Sequence, residues 1–319
     1  MTATTHQLTG AIPASFPAPL RDDGILLPAS TGLYGWDHRL EQVFDGLAGA
    51  LTGTGRRSAT RVLRFPPLLS RPVFERCEFA DSFPHLVGSV HAFHGGRREH
   101  QQLKSAVSSG ADWGDLMALS QYVLTPAACY PVYPFYTGTL PAGGVEVDVL
   151  GHCFRHEPSD EAGRLVSFRQ REFVRLGTPE EVADWVTGWH SRALAFVRQL
   201  GLDAHAEVAS DPFFGASGGK LLAASQQEQQ LKMEIIAPIG DGHPVAVASC
   251  NSHRDHFGRV FGIHTADGGI AHAACVGFGQ ERLAFALVAA HGADLDAWPD
   301  HVRRALWNTP DAPQPTADR

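Results

Sequence analysis

Two segments far apart in this 319-residue chain each carry half of one nucleotide site, so the fold must bring them together. The first is Phe154-Arg155-His156-Glu157, a loop, then Phe168-Arg169-Gln170-Arg171-Glu172-Phe173. The second is Gly277-Phe278-Gly279-Gln280-Glu281-Arg282. An Arg, a Glu and an aromatic on two strands match a phosphate, the edge of an adenine and its face. A planar guanidinium meets phosphate oxygens in pairs. A second Arg, opening a helix after closely spaced glycines, supplies another phosphate clamp. Together these residues imply adenylation chemistry, the activation of a carboxylate by ATP. Two commoner solutions are missing from the sequence: a phosphate loop ending in Gly-Lys-Ser or Gly-Lys-Thr, and a Gly-x-Gly-x-x-Gly with an acidic residue about 20 positions on.

Periodicity supplies the frame around them. Residues 61–66 and 145–155 read as strands, as do Met233–Ile236 and Val245–Ser249. The clearest helix spans 179–200. Thr178 is its N-cap, Pro179 fits the first turn, and Glu181 completes a capping box. Val182, Trp185, Val186, Trp189, Ala193, Phe196, Val197 and Leu200 fall on one face, and Gly201 ends the helix. A Gln-rich helix, poor in bulky apolar residues, is predicted from Lys220 to Lys232, and a last one from Glu281 to Gly292. Strands recur between helices without regular βαβ alternation, so the expected class is α+β, with a mainly antiparallel sheet flanked by helices. The expected organisation is a flexible arm over 1–20, a catalytic domain over 21–307 and a disordered tail over 308–319.

Charge and cysteine usage bound the partners. The net charge is −8, which disfavours a large polyanion. Basic clusters at Arg56, Arg57, Arg61 and Arg64, and at Arg97, Arg98 and Lys104, read as solvated surface or as a modest patch for a small acidic protein. Five cysteines without a Cys-x-x-Cys pair argue against a disulfide framework and a zinc finger. With no secretory signal and no apolar run of about 18 residues, the expected location is the reducing cytoplasm, with no membrane contact.

The first segment, read as Phe154-Arg155-x-Glu157 and Arg169-x-x-x-Phe173, resembles motif 2 of class II aminoacyl-tRNA synthetases. Gly277-x-Gly279-x-Glu281-Arg282 resembles motif 3, and Phe65-Pro66-Pro67-x-x-x-Arg71-Pro72 resembles motif 1, the dimer element. The closest likeness is to the atypical zinc-dependent seryl-tRNA synthetases, and within these to their truncated relatives, the amino acid:carrier-protein ligases. That resemblance implies a class II catalytic domain and a homodimer. It implies that Arg155 contacts the α-phosphate, Glu157 the adenine amino group, Phe173 the adenine face and Arg282 the γ-phosphate, with Arg155 and Arg282 as the catalytic pair and Mg²⁺ accompanying ATP. Cys129, Glu172 and Cys275 match the family's zinc ligands, with the fourth position holding the substrate amino group. Lys232, Glu234, Asn251, Ser252 and Arg254 fall in the stretch that contacts amino acid and adenylate: Glu234 with ATP, and Lys232, Asn251 and Ser252 with the substrate beside Glu172. Apart from the resemblance, two such cysteines also read as inert buried thiols, Cys250 reads as packing, and His253 with His256 reads as a polar loop pair.

Only about 55 residues precede the motif 1 region, short of the large N-terminal domain of the atypical seryl enzymes. The expected acceptor is therefore the phosphopantetheine thiol of an acidic carrier protein rather than tRNA, and the expected substrate is glycine or alanine, with serine next. Three other readings remain at this stage: an enzyme that charges RNA, a non-catalytic regulatory paralogue, and an adenylate-forming enzyme with a free small acceptor. Residues 217–232 are expected to guide the carrier arm, with Lys220 or the Arg97–Arg98 cluster meeting an acidic helix.

Overall fold

The structure is a computed structural model that describes residues 11–211, 231–240 and 243–307, with isolated positions 220, 226, 227 and 229. Most of the predicted Lys220–Lys232 helix and all of the tail from 308 lie outside the described residues. Among the described residues the centre is a seven-stranded sheet. Its order is His205–Val208, Lys232–Ile239, His243–Arg254, His272–Gly279, Ser167–Gly177, Val145–Phe154 and Arg61–Arg64. Every pairing is antiparallel except the last, where Arg61–Arg64 runs parallel to Val145–Phe154. The expected α+β class with a mainly antiparallel sheet is what the chain adopts.

Strand alternation sorts side chains to two faces. One face lies under the helices His38–Gly55, Pro179–Gln199, Gln280–His291 and Asp300–Trp307, and Phe173, Val276 and Phe278 enter that core. The other face carries Val147, Val149, Val174, Leu176 and Ala273, packed under Val132, Tyr133, Phe257 and Phe261. Beyond that second core the sheet opens into the pocket described below.

The helix Pro179–Gln199 forms as its capping signal requires. Glu181 N donates to Thr178 Oγ1 at 3.3 Å, and Thr178 N donates to Glu181 Oε2 at 3.0 Å. Gly201 follows at φ +75°, a backbone setting that costs glycine little. Residues 16–20 depart from the expected free arm: Phe16 and Leu20 are buried in the helix-side core, and Ala18–Asp22 is helical. Two anchors in a short Pro- and Ala-rich stretch leave no period to read.

Arg56 and Arg64 also depart from their surface reading. Both reach Asp148, at 2.8 and 3.6 Å, and Asp148 in turn holds the buried Arg171 at 2.7 Å. Burial pushes the Asp148 carboxyl up, but hydrogen bonds and charge from Arg171, then Arg56 and Arg64, bring it below the usual range. The strand Arg61–Arg64 precedes the motif 1 stretch, which yields the strand Leu68–Ser70 and the start of the helix Arg71–Arg76. Leu68–Ser70 joins Met117–Leu124 and Ser89–Phe93 in a separate three-stranded sheet.

Candidate active site

The hairpin Val145–Phe154/Ser167–Gly177 pairs in unbroken register from Val145↔Leu176 to Phe154↔Ser167, and its connecting loop begins at Arg155. Arg155 N donates to Val166 O at 3.0 Å, which fixes the loop base. The Arg155 guanidinium lies 5.4 Å from the Phe168 ring centroid and donates from Nε to Pro126 O at 3.2 Å. From the far side, Arg282 opens the helix Gln280–His291 and donates to Gly163 O at 2.8 Å and Ala246 O at 2.9 Å. Both guanidiniums bond to backbone carbonyls, and among the described residues neither forms an ion pair with a carboxylate. Burial pulls the Arg282 pKa down, and the nearby Arg155 adds to the effect. Two such cations in one cleft form an anion site.

The same pocket is lined by Glu157, Phe168, Gln170, Glu172, Glu234 and Asn251. Phe173, the residue expected to stack on adenine, is not among its walls. It is 2% exposed on the helix-side face, stacked on Trp189 with ring centroids 5.0 Å apart, and a Cβ on Gly55 would overlap its ring. The reason is the strand period. Glu172 and Phe173 are neighbours, so they point to opposite faces, while Phe168 and Gln170 share the Glu172 face. Phe168 is the aromatic of this strand that lines the pocket, and Arg164, which precedes it by four residues, pairs with Glu157 at 3.2 Å. Arg169 lies on the other face, bonded through backbone and side chain to the buried Glu281, and so ties the helix Gln280–His291 to the sheet.

Cys129, Glu172 and Cys275 form the second focus. Their ligand atoms all lie within 4.8 Å of one another, and all three residues are buried. Cys129 N donates to Glu172 Oε1 at 3.2 Å. Burial pushes the Cys129 thiol well up, and the neighbouring Cys275 and Glu172 push the same way. For Cys275, a hydrogen bond from Cys129 favours the thiolate, yet burial and Glu172 still raise it. Two soft sulfurs and a carboxylate, desolvated together at this spacing, fit a tetrahedral zinc ion with one position left for a ligand. All five cysteines are free and buried. Burial pushes Cys250 up to about 12, as befits its packing role in the core.

Lys232 reaches the pocket already paired, at 2.6 Å to Asp211 and 2.9 Å to Glu234. Burial lowers its pKa, but the two carboxylates outweigh this and the net shift is upward. Asn251 lines the pocket and Ser252 does not: alternation sends Ser249, Asn251 and His253 inward instead. His253 therefore stands on a strand rather than a polar loop, with Nε2 at 3.2 Å from Cys275 Sγ. Burial, then the adjacent His256, lowers its pKa to about 4. Asp211, Gln170 and His253 escaped the motif reading. For Gln170 and His253 the signal was available, by counting back two from Glu172 and forward two from Asn251. The floor is made of Ala246, Gly277 and Gly279, and a Cβ at Gly277 would stand 2.8 Å from Gln170 Nε2.

No family model matches the chain. It is 45% identical over 280 residues, 87% of its length, to amino acid:acyl-carrier-protein ligase 1 of Bradyrhizobium diazoefficiens, and covers 85% of that protein. It is 29% identical over 209 residues to the type-2 serine–tRNA ligase of Methanococcus aeolicus, spanning 63% of this chain and 40% of that one. The fold matches the crystal structure of M. kandleri SerRS in complex with A. aeolicus tRNASec at a TM-score of 0.75 and 18% identity, covering 94% of this chain and 61% of that one.

Proposed function

The chain belongs to the amino acid:acyl-carrier-protein ligases, and on that premise we propose that it activates glycine or alanine with ATP and loads it onto the phosphopantetheine thiol of an acidic carrier protein. The observation that carries this reading is one pocket lined by two guanidiniums bonded to backbone carbonyls and by a buried thiol–carboxylate–thiol trio. In the first half-reaction the amino acid carboxylate attacks the α-phosphorus of ATP, and pyrophosphate leaves. Arg155 and Arg282 hold the phosphate oxygens on which negative charge grows, and they are preorganised by their backbone carbonyl bonds. Phe168 offers its face to the adenine and Glu157 accepts from the adenine amino group, while Glu234 holds the nucleotide side of the pocket. Mg²⁺ accompanies the phosphates. Cys129, Glu172 and Cys275 would hold Zn²⁺, which would supply a Lewis-acid site for the substrate amino nitrogen. In the second half-reaction the carrier thiol attacks the carbonyl carbon, AMP leaves, and a thioester forms.

Phe79, Phe83 and Tyr130 wall the pocket near Cys129, leaving room for a short side chain. The exposed apolar residues Val62, Leu68, Leu119, Tyr122 and Phe135, on and around the motif 1 stretch, support an isologous homodimer. The helix Arg97–Ser109 buries none of its residues and carries Arg97, Arg98 and Lys104, which supports a docking role towards an acidic carrier. The test is pyrophosphate exchange across the twenty amino acids, then transfer to a phosphopantetheinylated carrier and to tRNA in parallel. Exchange with a small amino acid and thioester on the carrier is the expected result. Charging of tRNA alone, or preference for a large aromatic substrate, would refute the reading.

A further inference from the structure

His253 belongs to neither motif, yet its Nε2 lies 3.2 Å from the Cys275 sulfur. The sheet explains the placement. Asn251 is the direct cross-strand partner of Cys275, so their side chains share a face, and its Nδ2 lies 3.7 Å from the same sulfur. His253 is two residues further along and approaches Cys275 diagonally, within the reach of a long side chain. The pairing with His272–Gly279 is interrupted between Ser252 and Arg254, leaving His253 as the extra residue of a bulge. Arg254 then adopts φ +48°, an uncommon setting for a non-glycine residue, and the chain turns into the helix His256–Phe261. That helix sets the Phe257 ring 5.0 Å from the imidazole at 68°, an edge-to-face contact that restricts its rotation.

The cluster of ligand atoms lying within 4.8 Å of one another contains Cys129, Glu172 and Cys275 and leaves His253 out, so its nitrogens approach the sulfur rather than the centre of the trio. With a metal bound, Cys275 would be a thiolate with no proton to give, and Nε2 would then carry the proton in this contact.

We infer that His253 is a positioning residue of the metal site: its Nε2–H donates to the Cys275 thiolate, fixing that ligand's orientation and drawing charge from its sulfur, without itself joining the ligand set. The consequence is twofold. The trio keeps its fourth position for a substrate nitrogen, because the nearby imidazole is engaged by the sulfur. A thiolate that shares its charge with an N–H donor is also a weaker electron donor, which leaves the metal a stronger Lewis acid. Partners one shell beyond a metal commonly change its affinity by about 10- to 100-fold.

This inference rests on the metal reading above, and the experiment separates the two. Full-length protein is stripped of metal and titrated with Zn²⁺ against a chromophoric chelator, and separately with Co²⁺ to record the sulfur-to-cobalt charge-transfer band. His253→Ala is expected to bind Zn²⁺ roughly 10- to 100-fold more weakly and to move the charge-transfer band to lower energy. His253→Gln, which keeps an N–H donor, is expected to return both towards wild type. His253→Met, similar in bulk and without a donor, replaces the Ala variant if circular dichroism shows that the latter does not fold. Wild-type affinity and an unmoved band in the donor-free variant would overturn the inference. A change of cobalt coordination number in that variant would overturn it too, by making His253 a ligand. Failure of the wild-type protein to bind either ion would instead refute the metal reading itself.

Discussion

Phe168 and Phe173 stand five residues apart on one strand and on opposite faces of it, so truncating each should damage a different property. Phe173→Ala removes a ring that is 2% exposed and stacked on Trp189 in the helix-side core. Truncating a buried Phe costs about 3–5 kcal/mol. At about 2–4 °C per kcal/mol for a domain of this order of size, the melting temperature should fall by roughly 6–20 °C. The KM for ATP of the folded fraction should stay near wild type. Phe168→Ala removes a half-buried pocket wall facing Arg155. Loss of a base–aromatic stack is worth about 1–3 kcal/mol, so the KM for ATP in pyrophosphate exchange should rise roughly 5- to 150-fold, with a much smaller change in melting temperature. Exchange kinetics and thermal unfolding on both variants decide the matter. If Phe173→Ala raises the KM for ATP at unchanged stability while Phe168→Ala is silent, the strand register and the adenine position derived from it are wrong.

Arg155→Ala and Arg282→Ala should each lower pyrophosphate exchange by about 10²–10³-fold, the usual loss for a preorganised transition-state contact; near wild-type exchange in either would place the phosphates elsewhere. Asp148→Ala leaves the buried Arg171 without its carboxylate, so denaturant titration should show a loss of about 3–5 kcal/mol, and a loss below 1 kcal/mol would count against an integral buried pair. The Asp211–Lys232 pair sets a pH window. Burial pushes the Asp211 carboxyl up but Lys232 outweighs it, so its folded pKa is depressed, and the stability it contributes is present above the unfolded value of about 3.9 and lost as pH falls below it. Lys232 is shifted upward, so its share is complete below about 10.4 and is lost as pH rises through the folded value. The stability gap between wild type and Asp211→Asn should therefore be flat from about pH 5 to 9 and close in acid; a gap that persists unchanged at pH 3 would refute the pairing.

Much of the site was legible because its chemistry needs scarce residue types at fixed intervals. Arg155, Glu157, Glu172, Cys129, Cys275 and Arg282 all line one pocket. The aromatic that faces the pocket was not legible from spacing alone, because Arg-x-x-x-Phe occurs twice in succession, as Arg164 to Phe168 and as Arg169 to Phe173. Only the two-residue period of the strand, anchored on Glu172, separates them. His253 was hidden for a related reason. Its strand runs to Arg254, but its apolar signal stops near Ser249, since the last inward positions face a polar cleft rather than a core. Arg56 and Arg64 resembled surface charge because their shared partner, Asp148, lies more than eighty positions away, on the strand Val145–Phe154. Contacts of that range leave no local trace.

The floor of Ala246, Gly277 and Gly279 has a consequence for how such a pocket can diverge. Glycine has no side chain to lose and alanine only a methyl, so nearly every substitution along the floor adds bulk and narrows the cleft. A descendant that accepts a larger amino acid must therefore gain its space at the rim, where Phe79, Phe83 and Tyr130 still have volume to give up. The sheet would hold the shared chemistry constant while the loops above it explore substrates, and drift along the floor would run in one direction only, towards closure.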